Sequence, residues 1–325
     1  MAVSNTLTKR TGNKPQTFSA FLTQDAIKHK INSMVGGKDG QRFITSIISA
    51  VSVNPALAEC EHSSILSAAM LGESLKLSPS PQLGYYYMVP FNDKKRGCKV
   101  AQFQLGYKGY IQLAIRSGEY KKINVLAIKE GELEYFDPLN EEIKVNLMVD
   151  DWDARESAKT IGYYAMFELT NGFKKALYWS KAQMVAHADK FSQAFSKEAV
   201  KARDPKYNRV SFADFEAGKV SEKDMWLYSS FWYKDFDGMA YKTMLRQLIS
   251  KWGIMSIEMQ SAMDKDMAAI NEDGTVDYVE NNVDAAPAET VPVIDVTPEA
   301  AEVKALESSP QDTAQDEAVA DFFNN

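Results

Sequence analysis

The sequence predicts an α+β protein whose mostly antiparallel sheet follows an N-terminal layer of helices, with a disordered segment at each end. Apolar residues recur at helical spacing near the start of the chain and again near residue 240. Between them lie short β-branched and aromatic runs that turn residues separate. The two ends carry too few apolar residues to form a core and are expected to be disordered.

The N-terminal helices are predicted from GQRFITSIISAVSV and SSILSAAMLGESLKL. In the first segment Phe43, Ile47 and Val51 fall on one helical face. The dipeptide Asn54-Pro55 ends that helix, and the run SPSP at residues 78–81 ends the next.

Five short runs in the middle of the chain are predicted to be strands. They are YYYMVPF, KVAQFQLG, INVLAIKEG, EEIKVNLMV and IGYYAMFEL. After the last of them, Asn171-Gly172 predicts a two-residue hairpin turn that leads into a further strand. One helix, near residues 107–116, is expected to cross between these strands.

The chain after the hairpin is predicted to be helical again. Ser180 and Gln183 have the spacing of a capping box, which marks a helix start. Residues 196–223 are polar and contain Gly and Asp, and they are predicted to form a long loop. The following segment, DFDGMAYKTMLRQLISKWG, is predicted to be a helix that Gly253 closes.

Charge divides the chain into a basic body and an acidic tail. From Asp264 to the C-terminus, 16 Asp and Glu residues accompany two lysines, which gives this segment a net charge of −14. Because the whole chain carries −7, residues 1–263 carry +7. We therefore predict a disordered arm over residues 1–17, a folded domain over residues 18–263 and a disordered acidic tail over residues 264–325. A basic domain favours an anionic partner, and the tail is expected to limit its non-specific binding.

Composition and motifs argue against several classes of protein. No apolar run approaches the roughly 20 residues that span a bilayer, and the N-terminus lacks the apolar segment of a signal peptide, so a cytoplasmic protein without membrane contact is expected. Cys60 and Cys98 are too few for a disulfide framework or a thiolate metal cage. The run GGKDG at residues 36–40 lacks the spacing of a phosphate-binding loop, and the three histidines are scattered, so an enzyme that uses either is not expected.

A cluster of acidic residues is the best candidate for catalysis. Two-metal nucleases use carboxylates from adjacent strands and a lysine to gather Mg²⁺ ions around a phosphate. The alternative is a solvated polar face of edge strands, and this alternative is favoured because charge runs usually face solvent. The cluster consists of Glu130, Glu132, Glu134, Asp137, Glu141, Glu142 and Lys144.

A basic and aromatic block, QFQLGYKGYIQLAIRSGEYKKINV at residues 102–125, favours a single-stranded nucleic acid as ligand. Cations neutralise the phosphates of such a ligand and aromatic faces stack on its bases, with little dependence on base sequence. Gly106 and Gly109 would let a phosphate approach the start of the helix predicted there. The predicted contacts are Gln104, Tyr107, Lys108, Arg116, Lys121, Lys122 and, just beyond the block, Lys129.

Some residues of this region are expected in the core instead. About half of its tyrosines are expected to be buried, and Tyr110 is one of them because Ile111 and Ala114 follow it on the helix. Arg116 has an alternative partner in Glu119. The tyrosines are Tyr85, Tyr86, Tyr87, Tyr107, Tyr110 and Tyr120.

The last predicted helix carries further cations. Its apolar stripe anchors it to the core and leaves other faces for DNA or for assembly. The stripe comprises Met239, Thr243, Leu245, Ile249 and Trp252. The predicted contacts on the remaining faces are Lys242, Arg246 and Lys251.

Three blocks of the sequence carry a family resemblance. They are LGESLKLSPSPQLGYYYMVPF, QFQLGYKGYIQLAIRSGEYKKINVLAIKEGE and MAYKTMLRQLISKWGIMSIEMQSAMDKD. In this order, over about residues 40–265, the blocks resemble the RecT family of phage and prophage single-strand annealing proteins. The connection at residues 196–223 is longer than the resemblance would suggest.

The resemblance implies a curved sheet backed by helices, similar to the eukaryotic ring-forming annealing proteins. It implies a recombination protein, not an enzyme, that coats single-stranded DNA as a ring or helical filament and pairs it with a complementary strand. No nucleotide is expected as a cofactor, and Mg²⁺ is expected only to modulate binding. The implied partners are single-stranded DNA, the annealed duplex, further copies of the chain, a phage exonuclease and the host single-strand-binding protein. Two alternatives stay open: a single-strand-binding protein that does not anneal, and the Mg²⁺-dependent nuclease.

Overall fold

The computed structural model describes residues 17–93, 95–192, 194–271 and 275–277, with only the backbone at residues 37 and 38. Most of the predicted arm and all of the tail from residue 278 onward lie outside the described residues, so the predicted domain boundaries remain predictions. Within the described ranges, no helix is both long enough and apolar enough to cross a membrane.

Helices form the first part of the chain, as the apolar spacing predicts. The bounds are α1 Phe18–Leu22, α2 Asp25–Val35, α3 Gly37–Val53 and α4 His62–Ser74. A short 3₁₀ helix, Pro55–Glu59, follows the predicted break at Asn54. Residues 64–72 of α4 are buried, because this helix packs against the strands over residues 86–105 and 268–270.

The strands are joined by antiparallel pairing throughout. Their bounds are β1 Tyr86–Asp93, β2 Cys98–Leu105, β3 Tyr120–Lys129, β4 Leu133–Asp137, β5 Glu142–Val145, β6 Thr160–Leu169, β7 Lys174–Ser180, β8 Ala268–Ile270 and β9 Val276–Asp277. They form sheets of order β1-β2-β8-β9, β3-β6-β7 and β4-β5 in the described part of the chain. The predicted fold class, antiparallel sheet backed by helices, is confirmed.

The remaining helices connect or cover the sheets. They are α5 Tyr107–Ser117, α6 Trp152–Ser157, α7 Lys181–Phe191, α8 Phe212–Glu216, α9 Phe231–Lys234, α10 Phe236–Trp252 and α11 Ile257–Asp264. Helix α5 is the predicted crossing helix. The predicted capping box opens α7: the amide of Gln183 donates to the Ser180 hydroxyl at 3.2 Å, and Gln183 Oε1 accepts from the Ser180 amide at 2.8 Å.

The segment predicted as a long loop, residues 196–223, contains ordered structure. It includes α8 and a 3₁₀ helix over Pro205–Tyr207. Phe212 is buried, and its ring lies 5.0 Å from that of Phe195. Phe212 and the partly buried Phe215 therefore anchor this segment to the core, and the prediction of a plain loop is wrong.

The hairpin between β6 and β7 sets the register of the central sheet. The amide of Leu169 donates to the Phe173 carbonyl at 2.8 Å, so three residues, 170–172, form the loop. Gly172 supplies the positive φ of 89° that this loop needs. The prediction of a turn at Asn171-Gly172 is confirmed, but its length of two residues is wrong. With this register, Glu168 pairs with Lys174.

Helix α10 packs across the central sheet and against α5. It buries residues outside the predicted apolar stripe as well as residues within it. Leu245 and Ile249 are fully buried as predicted, whereas Trp252 is 37% exposed. The chain then returns to the first sheet, where β8 pairs with β2 through Gln102 and Ala269. Strands β8 and β9 lie beyond residue 263, which is the predicted end of the folded domain.

Candidate nucleic-acid interface

Three lysines surround one buried carboxylate at an end of the central sheet. The ammonium groups of Lys121, Lys122 and Lys174 lie 2.8, 3.8 and 3.5 Å from the oxygens of Glu168. The lysine side chains are 60–66% exposed, while that of Glu168 is 6% exposed. We call these four residues the lysine cluster. Three positive charges around one negative charge leave a net charge of +2 that faces solvent.

The strand geometry explains how two consecutive lysines reach the same carboxylate. Successive residues of a regular strand point to opposite faces of the sheet. In β3, however, Tyr120 pairs with Leu169 and Lys122 with Glu168, so Lys121 is the extra residue of a β-bulge. The bulge places Lys121 beside Lys122, and the hairpin register places Lys174 across from them.

The lysines determine the ionisation of Glu168. The hydrogen bond from Lys121, together with the charges of Lys174 and Lys122, holds the pKa of the Glu168 carboxyl below its ordinary value in spite of burial. The carboxylate is therefore charged at neutral pH. A phosphate group that approaches the cluster competes with Glu168 for the three ammonium groups, in a contact that carries no information about base sequence.

A second cationic site lies at the start of α5. Lys108 is exposed, and its Nζ lies 5.9 Å from the centre of the Tyr107 ring. Tyr107 is half-buried and packs edge-on against Tyr241 of α10 at 5.4 Å. Tyr87, also half-buried, lies 5.5 Å from Phe231. Partly exposed rings and a cation are thus found together, as the sequence predicts.

The glycines of this segment have a role in packing. A Cβ atom at Gly106 would lie 2.2 Å from the carbonyl oxygen of Gly84, and one at Gly109 would lie 2.1 Å from that of Tyr85. Both glycines therefore allow the helix to pack against the preceding loop, and their predicted role of admitting a phosphate stays a prediction. Of the six tyrosines, Tyr86, Tyr110 and Tyr120 are buried, which confirms the prediction that about half belong to the core.

Arg116 is engaged with the backbone of another helix. Its guanidinium group donates to the carbonyl oxygens of Leu75 at 2.6 Å and of Lys76 at 3.3 Å, just after the end of α4. The helix ends here, so no amide of a following turn donates to these carbonyls, and the Arg116 guanidinium group donates instead. The alternative partner Glu119 is not the one observed.

Lys242 is directed into the protein. It is 6% exposed, and its Nζ lies 2.9 Å from Asp266 Oδ2. Arg246 donates to the same oxygen at 3.2 Å. The other oxygen of Asp266 accepts from the amide of Leu105 at 2.8 Å, so these cations connect α10 to the end of β2. Their predicted role as DNA contacts is untested, but Lys242 is not accessible to a phosphate in this arrangement.

The other predicted contacts are spread over the molecule. Lys129, at the far end of β3, donates to the Thr160 hydroxyl at 3.2 Å. Lys251 is exposed at the end of α10, with its Nζ 5.9 Å from the Trp252 ring. Gln104 is half-buried on β2 opposite Tyr87.

The acidic residues proposed for a nuclease do not converge. Glu132 is fully buried and accepts from Arg155 Nε at 2.6 Å and from the amides of Lys129 and Met148 at 2.7 and 3.1 Å. Burial raises the pKa of the Glu132 carboxyl, but these hydrogen bonds outweigh it and the net pKa is lowered. Among the residues that the structure describes, no group of three His, Cys, Asp or Glu side chains could hold a metal ion.

Sequence reasoning missed Lys174 because it lies outside the central block. A hairpin with the predicted two-residue turn would pair Lys175, not Lys174, with Glu168, and a register shift of one residue exchanges the faces of a strand. Lys175 instead lies with its Nζ 4.3 Å from the ring of Trp252 and pairs with Glu141 of the β4-β5 hairpin.

The fold and the lysine cluster together define an α+β protein with a cluster of exposed cations at one end of an antiparallel sheet. Residues 41–283 match the model of the RecT family. The chain therefore belongs to the RecT family, the DNA-binding proteins that anneal strands in recombination.

The chain is also similar to two curated relatives, one of which is named RecT. The chain is 36% identical over 295 residues to an uncharacterized protein, YqaK, of Bacillus subtilis (strain 168), and the match covers 89% of this chain and 86% of the relative. It is 31% identical over 116 residues to the protein RecT of Escherichia coli (strain K12), and that match covers 35% of this chain and 43% of the relative.

Proposed function

We propose that this protein binds single-stranded DNA and anneals it to a complementary strand without a nucleotide cofactor, as a homo-oligomer in the cytoplasm of a bacterial host. The observation that carries the proposal is the lysine cluster, in which Lys121, Lys122 and Lys174 face solvent around Glu168. Membership of a family of DNA-binding proteins supports the proposal that these cations bind the phosphates of DNA.

The chemistry of the cluster suits annealing. A protein that pairs two strands has to hold them whatever their sequences are, so its contacts have to be independent of base identity, as contacts to phosphates are. Ammonium groups on flexible side chains bind phosphates as point charges without fixed geometry. Strand pairing forms base pairs and breaks no covalent bond, so the proposed activity needs no catalytic group.

The proposed interface also includes Lys108 and Tyr107 at the start of α5, and Gln104, Lys129 and Lys251 as peripheral contacts. It leaves out the three predicted contacts that the fold uses: Arg116, which bonds the end of α4, and Lys242 and Arg246, which both pair with Asp266. Their replacement would alter the fold before it altered a contact to DNA.

The partners in the proposal rest on family membership alone. They are further copies of the chain, a phage exonuclease that supplies single strands and the host single-strand-binding protein. Mg²⁺ is proposed to modulate binding through the phosphates.

The test measures the annealing of two complementary oligonucleotides that carry a fluorescent donor and acceptor. Energy transfer between the labels reports pairing, and the reaction contains a chelator and no nucleotide. The wild type should accelerate pairing, and the double variant Lys122→Ala/Lys174→Ala should lose most of this effect. The double variant keeps Lys121, whose 2.8 Å hydrogen bond still neutralises Glu168. Lys219→Ala is the matched control, because Lys219 is 66% exposed and pairs with Asp214 outside the cluster.

Other results would contradict the proposal. Binding of single strands without faster pairing would indicate a protective single-strand-binding protein. Loss of full-length strand on addition of Mg²⁺ would indicate a nuclease. Equal losses in the double variant and in Lys219→Ala would show that the lysine cluster has no special role.

A further inference from the structure

An aromatic pocket of about 260 Å³ lies along the edge of β7, on the same sheet as the lysine cluster. Among the described strands, β7 pairs only with β6, so its other edge is open. The β4-β5 hairpin lines one side of the pocket and the end of α10 lines the other. The aromatic lining residues are Phe136, Tyr164, Tyr178, Trp179 and Trp252.

Specific contacts hold this pocket together. Phe136 of the hairpin lies 4.9 Å from the ring of Tyr178. Lys175 joins both sides, because it pairs with Glu141 of the hairpin and its Nζ lies 4.3 Å from the ring of Trp252. The walls are therefore built from rings and from the ion pair of Lys175 with Glu141, and Trp252 remains 37% exposed.

One wall of the pocket shares a face of the sheet with the lysine cluster, whereas Lys175 and Trp179 belong to the opposite face, so the pocket extends around the open edge of β7. Tyr164 pairs with Tyr178, and Glu168 pairs with Lys174. Tyr164 and Glu168 lie an even number of residues apart on β6, as do Tyr178 and Lys174 on β7, so these four side chains point to the same face. Tyr178 lies four residues from Lys174 along β7, which is about 13 Å in an extended strand. A DNA strand whose phosphates contact the cluster has bases within reach of the pocket.

We infer that this pocket holds an unstacked base of the single strand whose phosphates the lysine cluster binds. The inference rests on the proposed function and adds the site that binds the bases. A nucleobase is a flat π-system, and stacking on aromatic side chains tolerates any base, as annealing requires. The charge beside the pocket matches the ligand, because Lys174, which is 66% exposed, lies at the end of β7 from which the strand would enter.

The test compares two single-stranded ligands with equal numbers of phosphates: an oligothymidylate and an abasic oligodeoxyribose phosphate of the same length. The wild type should bind the oligothymidylate more tightly. Trp252→Leu, which keeps apolar volume and removes the ring, should weaken oligothymidylate binding about tenfold and leave abasic binding unchanged. Trp226→Leu is the matched control, because Trp226 is 51% exposed and lies near Lys206 outside the pocket.

Three results would overturn the inference. The first is an unchanged preference for bases in Trp252→Leu. The second is an equal loss of affinity for both ligands, which would show that Trp252 acts through the fold. The third is a change in sedimentation with no change in base preference, which would assign the pocket to a subunit contact. Failure of the wild type to bind either ligand would instead contradict the proposed function itself.

Discussion

The ammonium group of Lys242 lies 2.9 Å from Oδ2 of Asp266, and both side chains are buried. The same carboxylate accepts from Arg246 and from the amide of Leu105. It therefore joins α10, the last long helix, to β2 of the first sheet. A residue from the acidic C-terminal part of the sequence is thus the counter-ion of two α10 cations that are predicted to contact DNA.

Asp266→Ala should lower the free energy of unfolding by about 3 kcal/mol or more, because it leaves the ammonium of Lys242 buried without a partner. Urea unfolding followed by circular dichroism measures this change. Asp214→Ala removes a partner of the exposed Lys219 and should lower the free energy of unfolding far less, because a surface ion pair contributes little to stability. Equal effects of the two substitutions would show that the buried ion pair does not stabilise the fold.

Glu168→Gln should tighten binding to single-stranded DNA. It keeps the shape of the side chain and removes the charge that competes with phosphate for Lys121, Lys122 and Lys174. Fluorescence anisotropy with a labelled oligonucleotide at low salt measures the affinity. Weaker binding by Glu168→Gln, with the fold intact, would mean that the carboxylate positions the lysines and does not compete with the ligand.

His187 should make the fold sensitive to mild acid. Burial, with a contribution from Lys190 and Arg246, lowers the pKa of His187 to about 4, and its ring packs between Trp179 and Phe191. The unfolded chain, in which the pKa is near 6.5, binds a proton between pH 6.5 and 4 that the folded chain does not. Stability is therefore lost as the pH falls through this window, by about 2 kcal/mol between pH 7 and pH 5.

The control for this prediction is His187→Phe, which keeps a ring in the same packing and cannot titrate. Urea unfolding at pH 7 and pH 5 should show a smaller difference for the variant than for the wild type. An equal difference would assign the acid sensitivity to carboxyl groups.

Two truncations should behave differently. Ending the chain after Lys265 removes Asp266 and β8, so the protein should be destabilised. Ending it after Asp277 keeps both and removes 11 acidic residues and one lysine, so the fold should persist and the affinity for DNA at low salt should rise. Thermal unfolding and anisotropy measure the two properties. Weaker DNA binding by the chain that ends at Asp277 would show that the acidic segment supports binding.

Local signals in the sequence were enough to predict the elements. The capping box at Ser180, the turn at Asn171-Gly172 and the helix that starts at Tyr107 each depend on residues within a few positions of one another. Lys121 and Lys122 are exposed, as their place in the basic block suggests.

Properties that depend on distant residues were not predictable in this way. Helical spacing places Lys242 beside Arg246, but it cannot show that Asp266 lies across from both. The number of residues in one turn decides whether Lys174 or Lys175 faces Glu168, and the dipeptide that marks the turn does not fix that number. Contacts between residues that are far apart in the sequence therefore determine which cations face solvent.

The central claim is that the lysine cluster binds the phosphates of single-stranded DNA. The most direct test is the slope of log K against log salt concentration for an oligothymidylate, measured for the wild type and for Lys122→Ala, Lys174→Ala and Lys219→Ala. The account predicts that the magnitude of the slope falls by about 0.7 for each cluster lysine that is removed and is unchanged for Lys219→Ala. A wild-type slope in both cluster variants would contradict it.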